Sequence, residues 1–189
     1  MVGKVAPGTA VTVEPDGQTR SPEVKAALYE RHGAAAEVLR GADIEGPDPG
    51  PGKVRVRVEV SGVNPTDWKS RGGATPRAID RFQILHHDAA GVIDAVGVGV
   101  SQERLGQRVW TWLAAAGRRW GTAAGWTVIP ERPAVALPEG ISPELGASLG
   151  MPAMTAYWCL YADGPLTGQT VLIAGGAGAV GHLRSSCLA

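Results

Sequence analysis

The segment Gly176-Ala177-Gly178-Ala179-Val180-Gly181 limits what this chain can fold into more than any other. It follows Thr170-Val171-Leu172-Ile173-Ala174, a short apolar run with β-branched residues that predicts a buried strand. A strand, then G-x-G-x-x-G, then a helix brings backbone close to a pyrophosphate. The glycines permit the tight turn and the close approach, and the helix N-terminus offers free N–H groups and a positive dipole end. The pattern predicts the opening of an α/β nucleotide-binding domain, with Gly176, Gly178, Ala179, Val180 and Gly181 against the cofactor.

Only residues 182–189 follow the last glycine, and they are poor in apolar positions at helical spacing. They are too few for a stable packed helix, so the cofactor domain is expected to be incomplete, ended by a frameshift or an early stop. The acidic or basic residue that would read the ribose 2′ position about 20 residues further on has no counterpart, which leaves NAD and NADP undistinguished.

Upstream, the clearest strand has Val54, Val56, Val58 and Val60 alternating with Arg55, Arg57 and Glu59, the period-two pattern of a half-buried sheet. Further strands are predicted near 89–96, 107–112, 123–128 and 134–137, separated by Gly and Pro turns with no long helix between them. Such spacing suggests an antiparallel barrel or sandwich. Near residue 142 the pattern changes. Ser142-Pro143-Glu144 supplies a cap, a first-position proline and an acid, and two linking helices are predicted at about 143–149 and 152–161. Residues 1–24, without periodicity, read as a disordered extension. The domain plan is thus 1–24 extension, 25–142 β-domain, and 143–189 linking helices with the start of the cofactor domain.

Apolar content of 44% and charged content of 19% describe a soluble globular chain, and 18 basic against 18 acidic residues give no pull toward nucleic acid or an anionic membrane. No apolar run approaches the ~18 residues of a membrane span, and no secretory signal opens the chain, so a cytoplasmic setting is expected. Two cysteines, Cys159 and Cys187, are too few for a disulfide framework or a Cys-rich zinc lobe. Six tryptophans stand against one phenylalanine. Trp110, Trp112, Trp120 and Trp126 read as aromatics of a β-domain core, or alternatively as a stacking surface for a flat substrate.

Several segments together resemble the zinc-independent quinone-oxidoreductase branch of the medium-chain dehydrogenase/reductase family. They are Ser61-Gly62-Val63-Asn64-Pro65-Thr66-Asp67, His87-Asp88-Ala89-Ala90-Gly91-Val92-Ile93, Gly106-Gln107-Arg108-Val109, Met154-Thr155-Ala156-Tyr157 and the glycine turn. The resemblance implies a mainly β GroES-like barrel, then linking helices, then the first strand and turn of an incomplete Rossmann domain. The active site would lie in the cleft between the two domains.

It further implies hydride transfer from NADP(H) or NAD(H) to a small quinone or enone. Asn64 would contact the nicotinamide or polarise the acceptor oxygen. Thr66 would stand at a proton-relay position, and Thr155 would approach the nicotinamide. Residue by residue, other readings stay open: a turn-stabilising role for Asn64, a cap on the helix 66–70 for Thr66, and a bond back to its own helix for Thr155. Lys69 stands where relatives often carry Tyr and reads as a surface lysine, and Gly125 stands where they usually carry Glu. In the zinc-using branch the three metal ligands would fall at Asn64, His87 and Met151. An amide and a thioether do not replace two thiolates, so no zinc is expected, with Asp67 instead hydrogen-bonding His87. Two readings stay open: an NAD(P)H-dependent reductase, or a folded barrel with an incomplete cofactor domain and no turnover. Pairing into a homodimer through the cofactor domain is not expected, since its edge strands are lacking.

Overall fold

The structure, a computed structural model, describes residues 2–4 and 23–188. Strand β1 is Val2–Lys4, β2 Glu23–Tyr29, β3 Arg40–Glu45, β4 Lys53–Gly62, β5 Gln83–Ile84, β6 Asp88–Val96, β7 Arg108–Thr111, β8 Trp126–Pro130 and β9 Ala134–Ala136. The helices are α1 Ala35–Val38, α2 Pro65–Arg71, α3 Pro143–Tyr161 and α4 Ala179–Ser186. Most of the expected extension 1–24 lies outside the described residues. Of its ends, Val2–Lys4 pairs with β4 and Glu23 opens β2.

β4 is the spine, and its alternation explains why. Val54, Val56, Val58 and Val60 are all buried, while Arg55, Arg57 and Glu59 between them stay half-exposed. One edge of β4 pairs antiparallel with β6, which carries β7 and then β9 outward; the other edge pairs with β8 and β1. A second sheet, β3-β2-β5, joins the first where Ala26 bridges Ala124 and the Ala27 amide donates to Ala123 O at 2.8 Å. The result is the mainly β barrel expected from the strand spacing. The strand expected at 123–128 forms later, as β8, because Ala123 and Gly125 bond to the second sheet.

The main core joins Val54 and Val56 of β4, Ile93 of β6, Val109 of β7 and Ile129 of β8 with Val100. Tryptophan follows the core reading. Trp120 packs edge-on to Phe82 with centroids 6.0 Å apart. Trp126 is buried, gives its indole N–H to Asp94 Oδ2 at 2.7 Å and lies 5.2 Å under the Arg55 guanidinium. None of Trp110, Trp112, Trp120 and Trp126 lines the cleft described below.

Three expectations change in the C-terminal part. The two linking helices are one: α3 starts at the Ser142 cap, whose Oγ accepts the Leu145 amide at 3.2 Å, and runs through Pro152. Pro152 has no N–H for the Ser148 carbonyl, but Ser148 is exposed, so water can serve that oxygen. The expected strand Thr170–Ala174 has no ladder partner among the described residues, and Leu172 is 93% exposed. An apolar run becomes a buried strand only when neighbours pair with it. Conversely, the tail after Gly181 does form a helix, α4, because it docks on α3 with Gly181 buried and Tyr161 Oη donating to Cys187 O at 3.3 Å. Among the described residues no helix is long and apolar enough to cross a membrane.

Candidate active site

A cleft of about 790 Å³ opens where the start of α2, the middle of α3 and the turn before α4 converge. Asn64, Thr66 and Lys69 line it from α2, Asp88 from β6, Met151 and Thr155 from α3, and Gly178 to Gly181 with Arg184 from α4. The folded chain therefore brings together Asn64, Thr66, Thr155, Gly178, Ala179, Val180 and Gly181, which the sequence places more than 110 positions apart at the extremes. Gly176 is not among the lining residues.

Asn64 caps α2 with extended backbone, and Pro65 follows at the first helical position. The Asn64 amide N–H donates to Asp67 Oδ2 at 2.6 Å, the return half of a capping box, and its Nδ2 donates to Asp88 Oδ2 at 2.7 Å. The cap is Asn64, so Thr66, two residues later, does not serve as one. The Thr66 hydroxyl has no partner among the described residues and is half-buried on the cleft wall. Thr155 does bond back to its helix, Oγ1 to Met151 O at 2.7 Å, while its side chain still lines the cleft. Lys69 is on the cleft wall too, its Nζ 5.7 Å from the Trp68 ring. Gly178 caps α4 with no side chain filling the role, which leaves the first-turn N–H groups without a side-chain acceptor. The Arg184 Nε is buried without a partner among the described residues.

The expected Asp67–His87 hydrogen bond is not formed. Asp67 Oδ1 and His87 Nδ1 are both buried and unpartnered, and both side chains border a separate cavity of about 30 Å³ behind the cleft wall. Asp67 is held by capping its own helix instead. Burial pushes the Asp67 carboxyl up to about 7, against the pull of the Asn64 amide and with the charge of Asp88 adding to the rise. Burial likewise raises Asp88 to about 6, opposed by its bonds from Met151 and Asn64. His87 falls to about 4, through burial first and then the cations Arg77 and Arg118 and its neighbour His86.

The Asp67 shift makes stability fall with rising pH. The carboxyl releases its proton near 3.8 when unfolded and near 7 when folded, so across that window the native state holds a proton that the unfolded chain has lost. Asp67→Asn cannot titrate. Its stability relative to wild type should therefore climb between about pH 5 and about pH 8, by on the order of 2 kcal/mol. Denaturant midpoints at the two pH values measure this, and parallel curves would refute the assignment. The His87 titration runs in the opposite sense but is common to both proteins and cancels.

The profile of the alcohol dehydrogenase GroES-like domain matches residues 50–139. The chain is 30% identical over 162 residues to a chloroplastic quinone-oxidoreductase homolog of Spinacia oleracea, covering 82% of this chain and 49% of that one. It is 35% identical over 149 residues to quinone oxidoreductase of Homo sapiens, covering 77% and 44%. Among solved structures, Escherichia coli quinone oxidoreductase complexed with NADPH superimposes with a TM-score of 0.65 at 26% identity, over 75% of this chain and 42% of the other. Quinone oxidoreductase of Pseudomonas syringae gives 0.71 at 29%, over 85% and 48%. Sequence, barrel and glycine turn agree. The chain resembles the quinone oxidoreductases of the medium-chain dehydrogenase/reductase family. It spans about half the length of the family members it matches.

Within this family frame, the positions that hold zinc in the metal-using branch do not converge on a metal set here. The Asn64 amide is bonded to Asp88, Met151 offers a thioether, and His87 borders the small cavity rather than the cleft. Among the described residues no group of three or more His, Cys, Asp or Glu could hold a metal ion. Asp88 has no expected role toward Asn64 in the sequence, and the structure supplies one. Its signal was an acid opening the otherwise apolar run Ala89-Ala90-Gly91-Val92-Ile93.

Proposed function

We propose that the cleft takes a nicotinamide dinucleotide together with a flat quinone or enone, and that the site reduces this acceptor without a metal. The observation that carries the reading is the convergence of Asn64, Thr66 and Thr155 with the glycine turn in one cleft. The residues fit the cofactor: an uncapped helix start stands beside a cradle at Gly181 that any Cβ would fill, and the Arg184 Nε is left buried without a partner. When bound, the dihydronicotinamide supplies the hydride.

The amides of Ala179 and Val180 and the guanidinium of Arg184 would meet the diphosphate charge, the Gly178 amide being given to Gly175 O at 2.9 Å. Asn64, with one N–H given to Asp88, keeps its second N–H for the nicotinamide carboxamide. Thr66 has a free hydroxyl to offer the acceptor oxygen, and Lys69 a cation to meet the charge that develops there. Metal-free operation follows from the donor set, an amide and a thioether where two thiolates would be needed.

Titration of the chain with NADPH, followed by fluorescence, tests the reading. Binding in the low-micromolar range is expected, with hydride transfer to a benzoquinone seen as loss of absorbance at the dihydronicotinamide band. Asn64→Ala is expected to weaken binding about 10-fold, the equivalent of one charge-assisted or two neutral hydrogen bonds. The alternative, a folded barrel without turnover, draws support from the unpaired run 170–174 with Leu172 in solvent. Failure of NADPH to bind at millimolar concentration would decide for it.

A further inference from the structure

Asp88 is wholly buried, 0% exposed, and stands opposite Gly62 in the β4–β6 register. One of its oxygens, Oδ2, accepts from two elements at once: Asn64 Nδ2 at 2.7 Å and the Met151 amide of α3 at 2.8 Å. The packing around it is cleared by glycine. A Cβ on Gly150 would lie 2.2 Å from Asp88 Oδ1. A carboxylate oxygen only accepts, so it distinguishes the two ends of a side-chain amide. It holds the NH2 end of Asn64 and turns the carbonyl away, whereas an asparagine without such a partner can present either end. Met151 lies four residues before Thr155, so the same oxygen also ties Asn64 to the helix turn that carries the second ligand-facing side chain.

We propose that Asp88 is a positioning residue: its Oδ2 fixes the amide of Asn64 in one orientation and couples it to α3 at Met151, so that Asn64 and Thr155 are held in one frame. A wrongly turned amide would set the Asn64 carbonyl oxygen against the Asp88 carboxylate oxygen, acceptor facing buried acceptor, which makes the orientation single.

The side-chain amide of Asn64 reports directly on this in nitrogen-15-labelled protein. One Nδ2 proton should be shifted downfield and exchange at least ~10-fold more slowly than that of a solvent-exposed asparagine. In Asp88→Ala both protons should move to ordinary positions and lose that protection, while the backbone amides of β4 and β6 keep theirs. Asp88→Asn retains an acceptor oxygen and should keep most of the protection. Unchanged Asn64 signals in Asp88→Ala overturn the proposal, as does equal loss in Asp88→Asn. Should Asp88→Ala fail to fold, the wild-type resonance decides alone: free exchange of the Asn64 amide overturns it.

A second arm rests on the function proposed above. Asp88→Ala and Asn64→Ala should each weaken NADPH about 10-fold, and the double variant no further, because both remove one interaction. A loss of about 100-fold in the double variant, the sum of independent effects, also overturns the proposal. If wild type binds no NADPH, the functional reading fails, and the amide signals still decide on Asp88.

Discussion

Gly181→Ala is expected to weaken NADPH binding by about 30-fold, the equivalent of about 2 kcal/mol of overpacking strain. A Cβ at this position would lie 2.1 Å from Gly175 O, 2.7 Å from the same carbonyl carbon and 2.8 Å from Gly176 Cα. All three are backbone atoms and cannot rotate aside. Either α4 must back away from the turn or the turn must open, and both displace the amides of Ala179 and Val180 that would face a diphosphate. Gly175 itself holds a positive φ of 68°, so the turn has little room to adapt. Gly176 is the control within the same motif, since a Cβ there meets nothing nearer than Ile173 O at 4.0 Å. Circular dichroism should find both variants folded through the barrel, while NADPH titration separates them. Wild-type affinity in Gly181→Ala would show that the turn does not hold the cofactor.

Ile93→Ala is expected to cost about 3–4 kcal/mol of stability, a large share of the 5–15 kcal/mol typical of a domain. Ile93 is 0% exposed on β6, the strand with partners on both sides, and touches the core formed by Val54, Val56, Val109 and Ile129. These neighbours sit on paired strands, so the backbone cannot collapse into the space left behind, and the cavity term adds to the lost transfer term. The thermal midpoint should drop by about 10 °C. Val98→Ala, at a position 81% exposed in the turn after β6, should stay within about 0.5 kcal/mol of wild type. Equal losses at the two positions would mean that the core is assigned wrongly.

The barrel was readable because its main strand obeys a local rule. Val54 to Val60 alternate with charges, and that alternation survives intact as the buried and half-exposed faces of β4. Where a local signal had to be weighed against tertiary contacts, reading residues alone went astray. Pro152 looks like the first position of a new helix. It is internal to α3 because the carbonyl it deprives belongs to exposed Ser148. Thr170–Ala174 carries strand propensity without a partner, and propensity alone does not bury Leu172. Length alone predicts no stable helix after Gly181, yet docking on α3 supplies what eight residues lack by themselves.

For the site, the family resemblance implies Asn64, Thr66 and Thr155 beside the glycine turn, and the cleft is lined by these three with Gly178, Ala179, Val180 and Gly181. Hydrogen-bond partners were a different matter. Asp67 was assigned to His87 and bonds to Asn64, while the Asn64 side chain bonds to Asp88. Which carboxylate reaches which donor depends on a few degrees of strand twist and helix entry, information that no short motif carries.

The proline within α3 has a mechanical consequence. The nine residues beyond it, 153–161, form an arm about 14 Å long at ~1.5 Å per residue. A tilt of about 10° about Pro152 would swing the Tyr161 end by about 2 Å but shift Thr155 by under about 1 Å, because Thr155 sits near the fulcrum. The hydroxyl beside the ligand would thus hold almost still while the far end of the lever, and the glycine turn that follows it, travelled several times as far.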